Sequence, residues 1–135
     1  MKLTAKDFGG VRLEHLSGVT AAEFAEVWQA IEDRADELSA AGRDSDFVTG
    51  MLQTCRWIAE YRWWAGEVVP SPITGQSMPA TPELIEAEVV AVEQAVRAPS
   101  RVGRPDYVGG VWATFMWTWR GSGVPPLRSP RTQAS

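Results

Sequence analysis

The sequence predicts an all-α fold: a four-helix bundle built from two repeated helical hairpins, with an irregular N-terminal segment and a disordered C-terminal tail. Three observations predict it. Apolar residues recur at helical spacing in four separate stretches, with no comparable run of alternating strand pattern. Residues suited to cap helices stand ahead of the stretches. The third observation is an echo. Phe47-Val48-Thr49-Gly50-Met51-Leu52-Gln53-Thr54-Cys55-Arg56-Trp57 returns sixty residues later as Tyr107-Val108-Gly109-Gly110-Val111-Trp112-Ala113-Thr114-Phe115-Met116-Trp117. Upstream the match continues at an offset of 61, pairing Thr20 with Thr81, Trp28 with Val89 and Gly42-Arg43 with Gly103-Arg104. Two units fall short of the three or more that open solenoids need, so one closed bundle is expected. The domain spans 1–121, with hairpins at about 20–65 and 81–121, and the tail covers 122–135.

Taken in order, Thr4-Ala5-Lys6-Asp7 has the form of a capped single turn, stopped by Gly9-Gly10. Val11 to Leu16 alternates and reads as a short extended segment draped over the bundle. Thr20 and Glu23 form a capping box, and Val19 and Phe24 occupy the two staple positions. Phe24, Val27, Trp28, Ile31, Ala35 and Leu38 then make one stripe, and Gly42 suits a left-handed stop.

The second helix is expected from about Ser45 to Ala65, with Asp44 and Asp46 at its positive end. Phe47, Val48, Met51, Leu52, Cys55, Ile58 and Ala59 cover one face, and Gly50, Thr54, Trp57, Tyr61 and Trp64 a neighbouring seam. Such wide apolar coverage marks a central helix. A mid-helix glycine costs up to ~1 kcal/mol against alanine, so Gly50 and its echo Gly110 are read as the point where the two inner helices cross. Residues 66–80 hold three prolines and two glycines and read as an irregular connector. Thr81 caps the third helix, with Pro82 at its first position, and Ile85, Val89, Val92 and Val96 form its stripe. The fourth helix runs from about Pro105 to Arg120, with Val108, Val111, Trp112, Phe115 and Trp119 on the face that matches the core stripe of the second. The tail's prolines and scarce apolar residues predict disorder.

Composition narrows function by exclusion. The net charge of −4 argues against a sequence-independent nucleic-acid footprint. A lone cysteine and no signal-peptide core suggest a cytoplasmic setting, and no apolar run is long enough for a membrane span. Usage of Ala, Gly, Arg and Trp suggests a bacterial or phage source. No phosphate-binding loop, dinucleotide fingerprint, metalloprotease or nucleophile-elbow motif is present. No catalytic, metal or cofactor-binding residue is therefore assigned. A polar cluster of His15, Glu60, Tyr61 and Arg62 is the only arrangement an enzyme reading offers.

Seven tryptophans are the unusual count. Trp57, Tyr61 and Trp117 are candidates for an aromatic ligand cleft between the hairpins. Arg56, Arg62, Trp63 and Trp64 are candidates for a protein interface, being arginine and aromatic neighbours near one helix end. The fourth helix has no charge from Tyr107 to Trp119, and its outer side reads Gly109, Ala113 and Met116, where a peripheral helix carries charge. That side either lies under residues 1–18 or meets another chain. The preferred expectation is a small interaction module, an adaptor or regulatory subunit, binding a protein partner or itself as a homodimer. A ligand-binding bundle is the alternative, and an enzyme of unknown type the second.

Overall fold

The computed structural model describes residues 1–62, 66–98 and 103–127. Among these residues the chain is all-α. Its helices are α1 (Ala5–Gly9), α2 (Ala21–Ala40), α3 (Asp46–Ile58), α4 (Pro82–Arg97) and α5 (Pro105–Thr118), with a 3-10 turn at Leu13–His15. An isolated antiparallel bridge between Arg62 and Val68 is the only extended pairing among them.

The caps form where the side chains demand. The hydroxyls of Thr4, Thr20, Ser45 and Thr81 each accept an amide of the first helical turn. Thr4 and Asp7 complete a reciprocal capping box. At Thr20 the hydroxyl also donates to Glu23 Oε1, at 3.0 Å. Gly42, at φ +67°, takes the left-handed position after α2, and the Arg43 amide donates back to Leu38 O at 2.8 Å.

α3 and α5 pack against each other through glycine. A Cβ built on Gly50 would collide with the Tyr107 carbonyl oxygen and stand 3.1 Å from Val111 N. A Cβ on Gly110 would collide with the Phe47 carbonyl oxygen and stand 3.1 Å from Met51 N. The contacts are reciprocal: Phe47, Gly50 and Met51 stand to α5 as Tyr107, Gly110 and Val111 stand to α3. The struck atoms are backbone, so only glycine permits this approach. One turn on, Thr54 Oγ1 donates to Gly50 O at 2.8 Å and Thr114 Oγ1 to Gly110 O at 2.9 Å, which keeps both fully buried hydroxyls satisfied in a dry seam.

Around the seam, Phe24, Val27, Trp28 and Ile31 of α2 and Ile85, Val89 and Val92 of α4 close the core. The N-terminal segment packs beside α2 and the C-terminal end of α3. Leu3 is buried, Phe8 meets Trp28 edge-on, and buried His15 Nδ1 lies 2.9 Å from Ile58 O. The Ser17 amide donates to Thr118 O at 2.8 Å, tying this segment to the end of α5.

Four local expectations are corrected. Val11 to Leu16 is not extended throughout: Arg12 and Leu16 are, but Leu13–His15 coils into the 3-10 turn, and His15 meets the Ile58 carbonyl at the end of α3. The second helix stops at Ile58 rather than Ala65. Glu60 adopts φ +55°, its amide donates to Trp57 O and that of Tyr61 to Arg56 O, the two bonds of a Schellman stop. Glu60 is held there by Arg12. Residues 63–65 lie outside the described residues. Phe47 and Trp112 were expected in the core, and both are more than one third exposed. Trp112 follows Gly110 by two residues, about 200° round the helix, so the glycine seam turns it outward. Phe47 sits in the first turn of α3 with its ring against Gly109. Val96, placed on the stripe of the third helix, is likewise exposed near the end of α4.

The connector at 66–80 is fastened to three helices. Pro70 O accepts from Gln53, Met78 O from Trp57 Nε1 and Pro72 O from the Tyr107 hydroxyl. The carboxylate of Glu88 on α4, 3% exposed, accepts the amides of Ile73 and Thr74 and the Thr74 hydroxyl at 2.8, 3.1 and 2.6 Å. Beyond α5, the Ser122 amide donates to Met116 O and Leu127 is half-buried against the core. The rest of the expected tail, 128–135, lies outside the described residues.

Candidate interaction surface

The solvent-facing arc of α5 follows from the seam. With Gly110, Thr114 and Trp117 turned inward, Gly109, Trp112, Ala113 and Met116 fall on the other side. Trp112 is 39% exposed and Phe47 38%, while Gly109, Ala113 and Met116 are half-buried. The Phe47 ring would lie 3.7 Å from a Cβ on Gly109, so it forms one wall of the patch. Residues 1–18 run to α2, the end of α3, α4 and Thr118.

Charge appears at the ends of the arc. At the N-terminal end the Arg104 guanidinium donates to Asp46 at 2.8 Å and lies 4.7 Å from the Tyr107 ring centroid. That hydrogen bond holds the Asp46 carboxyl below its ordinary range. At the other end Arg120 bonds Glu86 and Glu93, both at 2.9 Å, and its hydrogen bond lowers the Glu93 carboxyl in the same way. The α5 face is thus an apolar strip between two paired arginines, Arg104 and Arg120, with Arg43, Asp44 and Asp106 around Phe47 at its N-terminal end.

The other candidates separate. Trp57 is buried, edge-on to Phe115 and bonded to Met78 O. Trp117 is buried and stacked on Phe24, with ring centroids 6.3 Å apart. Tyr61 lies beyond the end of α3, edge-on to Trp28, with its hydroxyl on Met1 Sδ. The three rings do not line a common cleft. The space beside Trp57 and Tyr61 amounts to about 10 Å³, room for a single water. Arg56 faces inward, its Nε and Nη2 gripping the buried Glu32 carboxylate at 3.0 and 2.9 Å, with Trp28 Nε1 as a third donor. Arg62 is exposed beside its bridge partner Val68. Trp63 and Trp64 lie outside the described residues.

Of the polar residues in the enzyme reading, Glu60, Tyr61 and Arg62 line one surface hollow of about 510 Å³ with Lys6 and Asp7, and His15 is buried apart from it. His15 faces Ile58 O, Glu60 pairs with Arg12, and Tyr61 reaches Met1. Among the described residues no group of histidine, cysteine and carboxylate side chains could hold a metal ion. Burial pushes the Cys55 thiol far above its ordinary range, which suits packing rather than nucleophilic chemistry. Among the same residues no helix is long and apolar enough to cross a membrane.

Comparison with known proteins gives no family: no family model, curated protein or solved structure matches the chain.

Sequence reasoning missed Glu32 and Glu88, because a buried carboxylate inside an apolar stripe looks like a solvated one until its partners arrive from elsewhere in the chain. It also placed Trp112 and Phe47 in the core. The signal for Trp112 was available: it lies opposite the glycine assigned to the seam.

Proposed function

We propose that this chain is a small protein-interaction module whose contact face is the outer arc of α5. The observation that carries the reading is an uncharged face of α5 that exposes Trp112, flanked by the exposed Phe47 ring of α3 and lying between the paired Arg104 and Arg120. Aromatic residues dominate binding energy where they are desolvated by a partner, and a charge-free centre with a polar rim is the usual plan of an interface. The repeat belongs to the same reading. The hairpins α2–α3 and α4–α5 act as two units of one four-helix bundle, and the reciprocal glycine contacts support it. A cytoplasmic setting suits the single buried thiol.

A photo-crosslinking residue at Trp112, with a control on the α2 surface at Asp33, tests the face. Position 112 is expected to capture protein, either a second copy or another chain, while position 33 captures none. Equal capture at both, or none at 112, would overturn the reading.

A further inference from the structure

We infer that the connector is a site of proteolytic cleavage at 75–78, and that the cut chain persists as a two-chain protein. The backbone there is open to an endopeptidase. Residues 74–79 are all exposed and lie outside any helix. Gly75, Gln76 and Ser77 are the small or polar residues that an exposed loop tip offers for nicking. Among the described residues, neither the Ser77 carbonyl nor the Met78 amide makes a hydrogen bond, so the peptide bond between Ser77 and Met78 is the unfastened one. The turn between α2 and α3 is also exposed but closed: the amides of Ala41, Gly42 and Arg43 all donate back to carbonyls of α2. No Lys, Arg, Asp or Glu occurs from Val68 to Pro82, so the enzyme that cuts here is one that accepts uncharged side chains.

Hydrolysis adds water across that bond, leaving a carboxylate on Ser77 and an amine on Met78. Both new charges stand at exposed positions, where water solvates them. The fastenings on either side of the cut are crossed. Ile73 and Thr74, upstream of it, are held by Glu88 of α4, and Pro72 O accepts from the Tyr107 hydroxyl of α5, both downstream. Met78 O, downstream, accepts from Trp57 Nε1 of α3, upstream. Each new end is therefore tied to a helix of the other piece. The larger hold is the core: α3 belongs to one piece and α5 to the other, and they meet at the glycine seam. The cut removes a tether rather than a packed contact, so the assembly survives but becomes dependent on concentration.

Brief digestion of the full chain with a broad-specificity, subtilisin-type endopeptidase tests this. Between residues 1 and 127 the first cut is expected at 75–78, identified by the intact masses of the two fragments. In buffer the fragments are expected to elute together at the position of the uncut chain, with its far-UV circular dichroism. In urea they should separate, and dilution out of urea should restore the joint peak. A first cut elsewhere between residues 1 and 127 overturns the site. Fragments that part or lose their helicity in buffer overturn the two-chain product.

Discussion

Replacing Gly50 by alanine puts the α3–α5 seam to its sharpest test. On an ordinary solvent-exposed helix this change stabilises by up to ~1 kcal/mol, because alanine is the better helix former. Here the added methyl collides with the Tyr107 carbonyl oxygen and lies 3.1 Å from both Tyr107 C and Val111 N. All three are backbone atoms of α5, so no side-chain rotation relieves them. The helices must separate by a substantial fraction of an ångström, and a gap of 0.5–1 Å forfeits a quarter to a half of each dispersion contact along the seam. Overpacking of this kind costs about 1–3 kcal/mol and outweighs the gain in propensity. Gly50→Ala is therefore expected to lower the melting temperature by several degrees, and Gly50→Leu by more. Gly110→Ala should match it, since its clashes with Phe47 and Met51 are the reciprocal ones. The double variant should cost less than the sum, because helices already parted make room for the second methyl. Urea melts of the four proteins decide the matter. A Gly50→Ala protein as stable as wild type would refute the close crossing.

Three further outcomes are expected. Arg56→Ala strands the buried Glu32 carboxylate and should destabilise by about 3–5 kcal/mol, whereas adding Glu32→Leu should recover much of the loss; a mild single-variant effect in denaturant titration would deny the ion pair its role. Glu88→Ala leaves the Ile73 and Thr74 amides without their acceptor, costing about 1–3 kcal/mol for each group stranded, while Glu88→Gln keeps an oxygen for them and should retain most of the stability; equal melts would show that the connector is not held this way. Burial raises the Tyr107 hydroxyl and the Cys55 thiol above their ordinary values. For both, the folded state favours the protonated form, so their contribution is present below the unfolded values of 10.0 and 9.0 and is lost as pH climbs through the raised ones. Stability should fall in alkali, less so in Tyr107→Phe, and Cys55 should react with a thiol reagent only when the chain unfolds; labelling of native protein at neutral pH would contradict this.

Much of the helical content was written into the chain locally. Thr20 and Thr81 accept the amides they were placed to accept, Gly42 takes its left-handed turn, and the apolar stripes of α2 and α4 face the core through most of their length. These features depend on residues a few positions apart, so spacing reveals them. Gly50 and Gly110 could be singled out because a mid-helix glycine is unfavourable unless something approaches closely. The outer strip of α5 was legible for a similar reason: a charge-free arc is visible from composition and periodicity alone.

Other features depended on parts of the chain far apart in sequence. Nothing near Ile58 announces that α3 ends there, because Tyr61 continues the stripe and Glu60 is a good helix former; the stop takes shape where Arg12 reaches Glu60 across 48 positions. Glu32 and Glu88 enter the interior because Arg56 and the 73–74 turn satisfy their oxygens there, and a carboxylate's burial is set by partners its own helix does not contain. Trp57, Tyr61 and Trp117 shared a stripe pattern, yet packing sent each ring to a different neighbour, since periodicity assigns a side of a helix but not what comes to meet it. Local sequence set the helices and most of their apolar faces, while the tertiary structure decided which side chains those faces met and left Trp112 and Phe47 turned toward solvent.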